Sequence, residues 1–269
     1  MPKFVKLETP SQGVALLTMT NPAINNHGSW IAIAELAASM KQAREAGARV
    51  AVLASGVPGH WFEHAWLQDL ADGIEGKPTT AEGAAWFHAL VEIGKTNVVT
   101  IAAVSGDCSG GGAELGWACD LRIAEEQAHF GQPEVQIALT TGIGGTSRLV
   151  RLIGRTAAAE MVMLGRPMTA RRIYELGGVN EVVPAGKSIE LALEWARELA
   201  KRPAHALAAL KQILIGSDDL NLTDALANEQ RLFQSVATTP EAISTMRQIQ
   251  ARFDRGEKLR DVYGPPRKP

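Results

Sequence analysis

Apolar and polar positions alternate in blocks whose period changes along the chain. Two short apolar runs, around Phe4–Leu7 and Val14–Met19, flank the polar stretch Thr9-Pro10-Ser11-Gln12-Gly13. That pattern predicts a β-hairpin, which Asn21-Pro22 ends. Ser29 then stands where a helix cap belongs, and Ile33, Leu36, Ala37, Met40 and Ala43 recur at helical spacing until Gly47 stops them. A buried strand is expected at Val50–Ala54. The stretch Ser55–Trp66 mixes Gly, Pro, aromatic and His residues without a period. It reads as a loop, and a candidate site loop, leading into a short helix near Leu67–Ala71.

After a helix over about Ala81–Gly94, the run Val98–Val104 is continuously apolar and β-branched, as a fully buried parallel strand would be. Gly106 to Gly112 holds four glycines in seven residues and reads as a turn before the helix-like Ala113–Ala118. Strand, glycine turn and helix repeat the earlier β/α alternation, so the fold class is α/β. A strand at Leu121–Ala124, an extended piece through Phe130–Glu134 and helices starting near Gly145 and Thr156 follow. Past Pro184 helical patterns run from Ser188 to Phe253, with breaks at Pro203, around Ser217–Leu222 and at Pro240. The expected organisation is a core over residues 1–185 and a helical region over 186–269. Pro265–Pro269 reads as a loose tail.

Composition narrows the partners. The net charge is −2 with 21% charged residues, and the six Trp and six Phe are scattered rather than interleaved with Lys and Arg. Neither feature suits a nucleic-acid surface. The two cysteines, Cys108 and Cys119, are too few for a disulfide scaffold and lack zinc spacing, so a reducing compartment and no metal are expected. Met1-Pro2-Lys3-Phe4 carries no charged leader, and no apolar run is long enough to span a bilayer. The expectation is a soluble, unprocessed, cytoplasmic protein that does not engage a membrane.

Candidate chemistry begins at Gly106–Leu115. Glycines between strand and helix let backbone approach a ligand, and a helix start leaves N–H groups unpaired. Such a start accepts negative charge. A tight turn needed only for packing explains the glycines equally well. The spacing fits neither a dinucleotide fingerprint nor a phosphate loop. Glu114 and Glu134 each lie in largely apolar sequence, next to glycine turns. Two positioned carboxyl groups are what moving protons into and out of a substrate requires.

The runs Ile101–Gly106, Gly110-Gly111-Gly112-Ala113-Glu114-Leu115, Cys119–Ala124, Phe130-Gly131-Gln132-Pro133-Glu134 and Gly144-Gly145-Thr146-x-Arg148-Leu149 resemble the signature of the crotonase superfamily, in order and spacing. Gly165–Ala170 and Gly177–Pro184 are also similar to family segments, so the likeness covers nearly the whole chain. It implies a crotonase-like spiral of repeated ββα units and a C-terminal helical region that mediates homotrimers, often paired into hexamers. It further implies an acyl-CoA thioester as substrate, with no cofactor beyond the coenzyme A that the substrate carries. By position, Gly111 would supply one oxyanion N–H, with Gly110 and Gly142 beside the substrate, and Glu114 and Glu134 would be the two acids of an enoyl-CoA hydratase. Relatives that isomerise, or that hydrolyse thioester or carbon–carbon bonds, often keep only one acid or neither.

The loop Trp61-Phe62-Glu63-His64-Ala65-Trp66-Leu67 departs from the family pattern. The resemblance puts Ala65 at the second oxyanion donor, whereas His64 replaces a glycine and Trp66 an acid. Three readings stand side by side: His64 and Trp66 simply line an apolar pocket, they reshape it for an aromatic or polar acyl group, or His64 takes part in proton transfer. Cys108 and Cys119 read as buried small residues, His88 and His129 as packing or surface residues, and Asp120 as an internal hydrogen-bonding partner.

Overall fold

The computed structural model describes residues 3–264, so the tail expected at Pro265–Pro269 lies outside the described residues. The chain opens with β1 (Val5–Ser11) and β2 (Val14–Met19), and a 3-10 turn, Pro22–Ile24, leads to α1 (Trp30–Glu45). Three repeats follow. The first is β3 (Val50–Ser55), β4 (Gly59–His60), α2 (Leu67–Ile74) and α3 (Ala85–Ile93); the second is β5 (Val99–Val104), β6 (Gly106–Ser109) and α4 (Gly110–Ala118). The third is β7 (Leu121–Glu125), β8 (His129–Gly131), a 3-10 turn at Glu134–Ile137 and α5 (Gly145–Leu164). Then come β9 (Met168–Thr169), α6 (Ala170–Glu175), β10 (Glu181–Val183) and α7 (Ser188–Leu199), and finally α8 (Ala204–Asp219), α9 (Leu222–Ala237), α10 (Pro240–Asp254) and α11 (Leu259–Tyr263).

Each repeat deals its first strand to one sheet and its second to another. The larger sheet has the order β1-β2-β3-β5-β7-β10 and the smaller β4-β6-β8-β9. Among these strands β1 with β2 and β8 with β9 pair antiparallel, and the other strand pairs are parallel. This is the α/β spiral of ββα units. Helices cover both faces of the larger sheet, which is why its strands are apolar on both sides. Val50, Val52 and Ala54 face α7 with Val99, Ile101 and Ala103, while Ala51 and Leu53 face the cluster that holds Ile33, Leu36 and Met40 of α1.

Three boundaries differ from the sequence reading. The hairpin turn is shorter than Thr9–Gly13, because β1 continues to Ser11 with a register shift after Glu8; Pro10 is tolerated on this edge strand. The glycine stretch is not wholly a turn, since Gly106–Ser109 forms β6 between β4 and β8. The compact core ends after Leu207 rather than at 185. Its reason is α7, whose Ala192, Trp195 and Ala196 are buried against the larger sheet. Gly154, with φ 78°, interrupts α5, which explains a sequence pattern of two helices there.

Among the described residues, the regular elements of the unit from Ala208 onward are all helices. Asn221 and Thr239 cap α9 and α10 by accepting from the N–H groups of Asp224 and Ala242. Leu214, Leu222, Leu226 and Phe233 are exposed on it. No helix among the described residues is long and apolar enough to cross a membrane.

Candidate active site

The loop before α2, the start of α4 and the stretch from Pro133 to Ile143 meet residues of α1, α2 and α3 around one cavity of about 570 Å³. Ala65, Gly111, Glu114, Glu134, His64 and Gly142 all line it. Gly110 and Trp66 are not on its wall. Gly110 lies beneath His64, where a Cβ would come 2.6 Å from the His64 Cβ and 3.3 Å from Glu134 Oε1, and its φ is +48°. Glycine is therefore required there twice over, by backbone conformation and by space. Trp66 precedes α2 and turns its ring towards His27, 5.9 Å away between centroids.

The loop geometry follows from its pairing with Gly28. The Gly28 N–H donates to the His64 carbonyl at 3.0 Å, and the Trp66 N–H donates to the Gly28 carbonyl at 3.0 Å. In such a parallel bridge the middle residue, Ala65, turns its own N–H and C=O to the opposite side. Gly111 sits in the first turn of α4, where an N–H has no carbonyl one turn back to bond. Ala65 and Gly111 line the same cavity. The Trp86 ring packs against both Gly28 and the first turn of α4, since a Cβ on Gly28 would lie 2.5 Å and one on Gly111 2.9 Å from its tip.

Glu114 is 3% exposed. Its Oε1 accepts from Gly145 N–H at 2.7 Å and Ile143 N–H at 3.3 Å, at the start of α5. Only a glycine at 145 permits this, because a Cβ would lie 2.6 Å from that oxygen. Burial raises the Glu114 pKa from 4.5 to about 7, against the two N–H donors and Arg148, while the Glu134 charge adds to the rise. Glu134 opens the turn Glu134–Ile137. Burial also raises its pKa, opposed by its own N–H and by His64. Two carboxyl groups whose pKa values burial raises suit proton transfer.

Other expected roles resolve simply. Cys108 and Cys119 are buried, and burial pushes the Cys108 thiol well up. Asp120 accepts from the Thr100 N–H and hydroxyl at 2.7 and 2.9 Å. His129 faces Asp107 on the surface, and His88 is exposed.

Sequence reasoning missed Gln132, His27 and most of the cavity wall. Gln132 is fully buried. With its oxygen accepting from Trp117 Nε1 at 3.0 Å, its amide nitrogen donates to the Glu134 carboxylate at 2.9 and 3.2 Å. A polar residue two before a candidate acid was the available signal. The wall is apolar and aromatic, with Trp30, Leu70, Trp86, Phe87, Leu139 and Ile143 upon it. Phe87 is 55% exposed, an apolar residue off the buried face of α3. Among the described residues no three His, Cys, Asp or Glu side chains gather as a metal site.

A family model described as enoyl-CoA hydratase/isomerase matches residues 9–251. A 2,3-dehydroadipyl-CoA hydratase of Escherichia coli (strain K12) is 39% identical over 145 residues, 54% of this chain and 57% of that protein. A protein of Arabidopsis thaliana named probable enoyl-CoA hydratase 2, mitochondrial, is 31% identical over 97% of this chain and 86% of its own length. The crystal structure of an enoyl-CoA hydratase from Bacillus anthracis superposes with a TM-score of 0.83 at 26% identity, covering 93% of this chain and 97% of that one.

Proposed function

Because this chain belongs to the enoyl-CoA hydratase/isomerase family of the crotonase superfamily, we propose that it adds water across the double bond of a 2-enoyl-CoA thioester. One observation carries the reading: two carboxyl groups with raised pKa, Glu114 and Glu134, share a cavity with the backbone of Ala65 and Gly111. The thioester oxygen sits between the N–H groups of Ala65 and Gly111. As water attacks the β-carbon, charge moves onto that oxygen and the two donors stabilise the enolate, each contributing typically about 2.7–4 kcal/mol.

Glu114 takes up a proton from the attacking water in its carboxylate form, which a pKa of about 7 leaves well populated at neutral pH. Glu134, in its acid form, delivers a proton to the α-carbon. The two groups then recover their starting states by exchange with solvent. Backbone donors and two carboxyl groups supply every step, so the reading calls for no metal or redox cofactor. An isomerase moves one proton between carbons and has less use for a second acid, which is why hydration is favoured over the other crotonase reactions. The exposed leucines of α8 and α9 and Phe233 support association of the helical unit into a trimer or hexamer, and the absence of disulfides among the buried cysteines suits a cytoplasmic setting. Incubation with crotonyl-CoA tests the reaction: loss of the conjugated thioester absorbance is expected, and an unchanged spectrum with crotonyl, longer and aromatic enoyl-CoAs would overturn it.

A further inference from the structure

Two imidazole rings meet beside the cavity in a way that fixes how many protons they hold. His27 and His64 stand edge to face, 4.2 Å between centroids, with their Nε2 atoms 3.1 Å apart. The other nitrogen of each ring faces a main-chain carbonyl: His27 Nδ1 that of Ile24, and His64 Nδ1 that of Ala65 at 2.8 Å. A carbonyl only accepts, so both Nδ1 atoms carry hydrogen. Between the two Nε2 atoms, no hydrogen would set lone pair against lone pair, and two would set N–H against N–H. One hydrogen alone makes a bond. The count is then three N–H groups on four nitrogens, and one positive charge.

The surroundings say which ring carries it. Burial holds His27 below the usual imidazole range, with the Ile24 carbonyl opposing and the His64 charge adding to the fall. His27 is therefore the neutral member, protonated on Nδ1 and accepting through Nε2. Its place is fixed by the turn before it, where buried Asn26 bonds to the Asn21 N–H, the Met19 carbonyl and the Ser55 hydroxyl. The charged groups that face the pair are His60 and Glu63 on the loop side and Glu134 across the cavity. Glu63 is already engaged by His60 at 3.0 Å and by the Ser109 hydroxyl at 2.7 Å, which leaves Glu134 as the partner that feels the charge.

We propose that His27 and His64 share one extra proton, and that His27 is a positioning residue holding His64 as an imidazolium that ties down the Ala65 carbonyl and seats a positive charge beside the oxyanion donors and Glu134. The proposal rests on the hydratase reading for its catalytic consequence. Tying the Ala65 carbonyl fixes the segment whose N–H faces the thioester oxygen. The charge stabilises an enolate there and makes Glu134 a readier acid towards the α-carbon.

The test combines a proton count with kinetics. ¹⁵N NMR of histidine-labelled parent protein, with rings assigned through His27→Gln and His64→Gln, should show both Nδ1 atoms protonated and one hydrogen between the Nε2 atoms at acidic pH. On raising the pH both rings should change together as a single proton leaves. In activity, His27→Gln, whose amide oxygen accepts the same hydrogen, should stay within a few-fold of the parent. His27→Leu, which offers no acceptor, should lose kcat on the order of 10- to 100-fold at similar KM, as expected for a hydrogen bond to a charged group, and should lose activity at lower pH on the basic side. Two rings that titrate independently, a bare Nδ1 on either ring in the acidic range, or a parental pH profile for His27→Leu would each overturn the proposal. A parent protein that leaves every enoyl-CoA untouched would overturn the hydratase reading instead, and the NMR count would still decide the pair.

Discussion

Replacing Glu114 by Gln should destroy catalysis and yet stabilise the fold, by an amount that grows with pH. Glu114 is 3% exposed, and burial raises its pKa from 4.5 to about 7 despite the N–H groups of Gly145 and Ile143. The folded protein thus keeps this proton where the unfolded chain has lost it. Stability falls as the pH rises from 4.5 to about 7 and levels off above. At about 1.4 kcal/mol for each tenfold in proton affinity, the ionised carboxylate costs the fold roughly 3 kcal/mol by about pH 8. Glutamine keeps an oxygen for the Gly145 N–H and brings no charge, so the variant escapes that cost. Urea unfolding of both proteins at one fixed protein concentration, which holds any effect of subunit association constant, should show near-equal stability at about pH 4 and a variant more stable by up to about 3 kcal/mol at about pH 8. Hydration should fall by about 10²–10⁴-fold. A gap between the two that does not change with pH, or a variant less stable than the parent at alkaline pH, would refute burial as the dominant influence on this carboxyl group.

Glu134→Gln should likewise reduce hydration by about 10²–10⁴-fold with enoyl-CoA affinity near parental, as measured by calorimetric titration with a substrate analogue; parental turnover would remove its role. Ala65→Pro deletes an N–H donor and should cost about 10²–10³ in kcat, whereas Ala65→Ser keeps the donor and should be mild; equal effects in a steady-state assay would sink the loop's oxyanion assignment. Trp195→Ala empties the packing between α7 and the larger sheet and should lower unfolding free energy by about 3–5 kcal/mol, and denaturation showing a loss below about 1 kcal/mol would place α7 outside the core. Light scattering at micromolar concentration should give a multiple of three chains of 28.7 kDa, and the mass of a single chain would remove the oligomer.

Much of the fold was legible because local pattern and tertiary burial agree. The positions Ile33, Leu36, Ala37, Met40 and Ala43 that suggest one face of α1 are all buried, and the apolar run ending at Val104 is β5, buried at every residue. Glu114 and Glu134, which stand out in the sequence by their apolar surroundings and glycine neighbours, line one cavity. Where the reading stopped, the cause lies in tertiary contacts. Gly106–Ser109 is a strand only because β4 and β8 lie on either side of it, and glycine carries no strand signal of its own. Trp30, Trp86 and Phe87 wall the cavity, but apolar residues look alike whether they face a core or a ligand. His27 gave no hint of its partner, since 37 residues separate it from His64 and the bridge at Gly28 brings them together. Trp66, expected on the pocket wall, is turned towards His27 by that same bridge.

The central claim is that the cavity adds water to an enoyl thioester rather than moving its double bond or cutting it. Mass spectrometry of the product formed from crotonyl-CoA, and from longer or aromatic 2-enoyl-CoAs, in H₂¹⁸O tests this most directly. The account requires a 3-hydroxyacyl-CoA, heavier than the substrate by one water and carrying the heavy oxygen on the acyl chain, with the thioester intact. An isomer of unchanged mass, or free coenzyme A with the label in a released carboxylate, would contradict it.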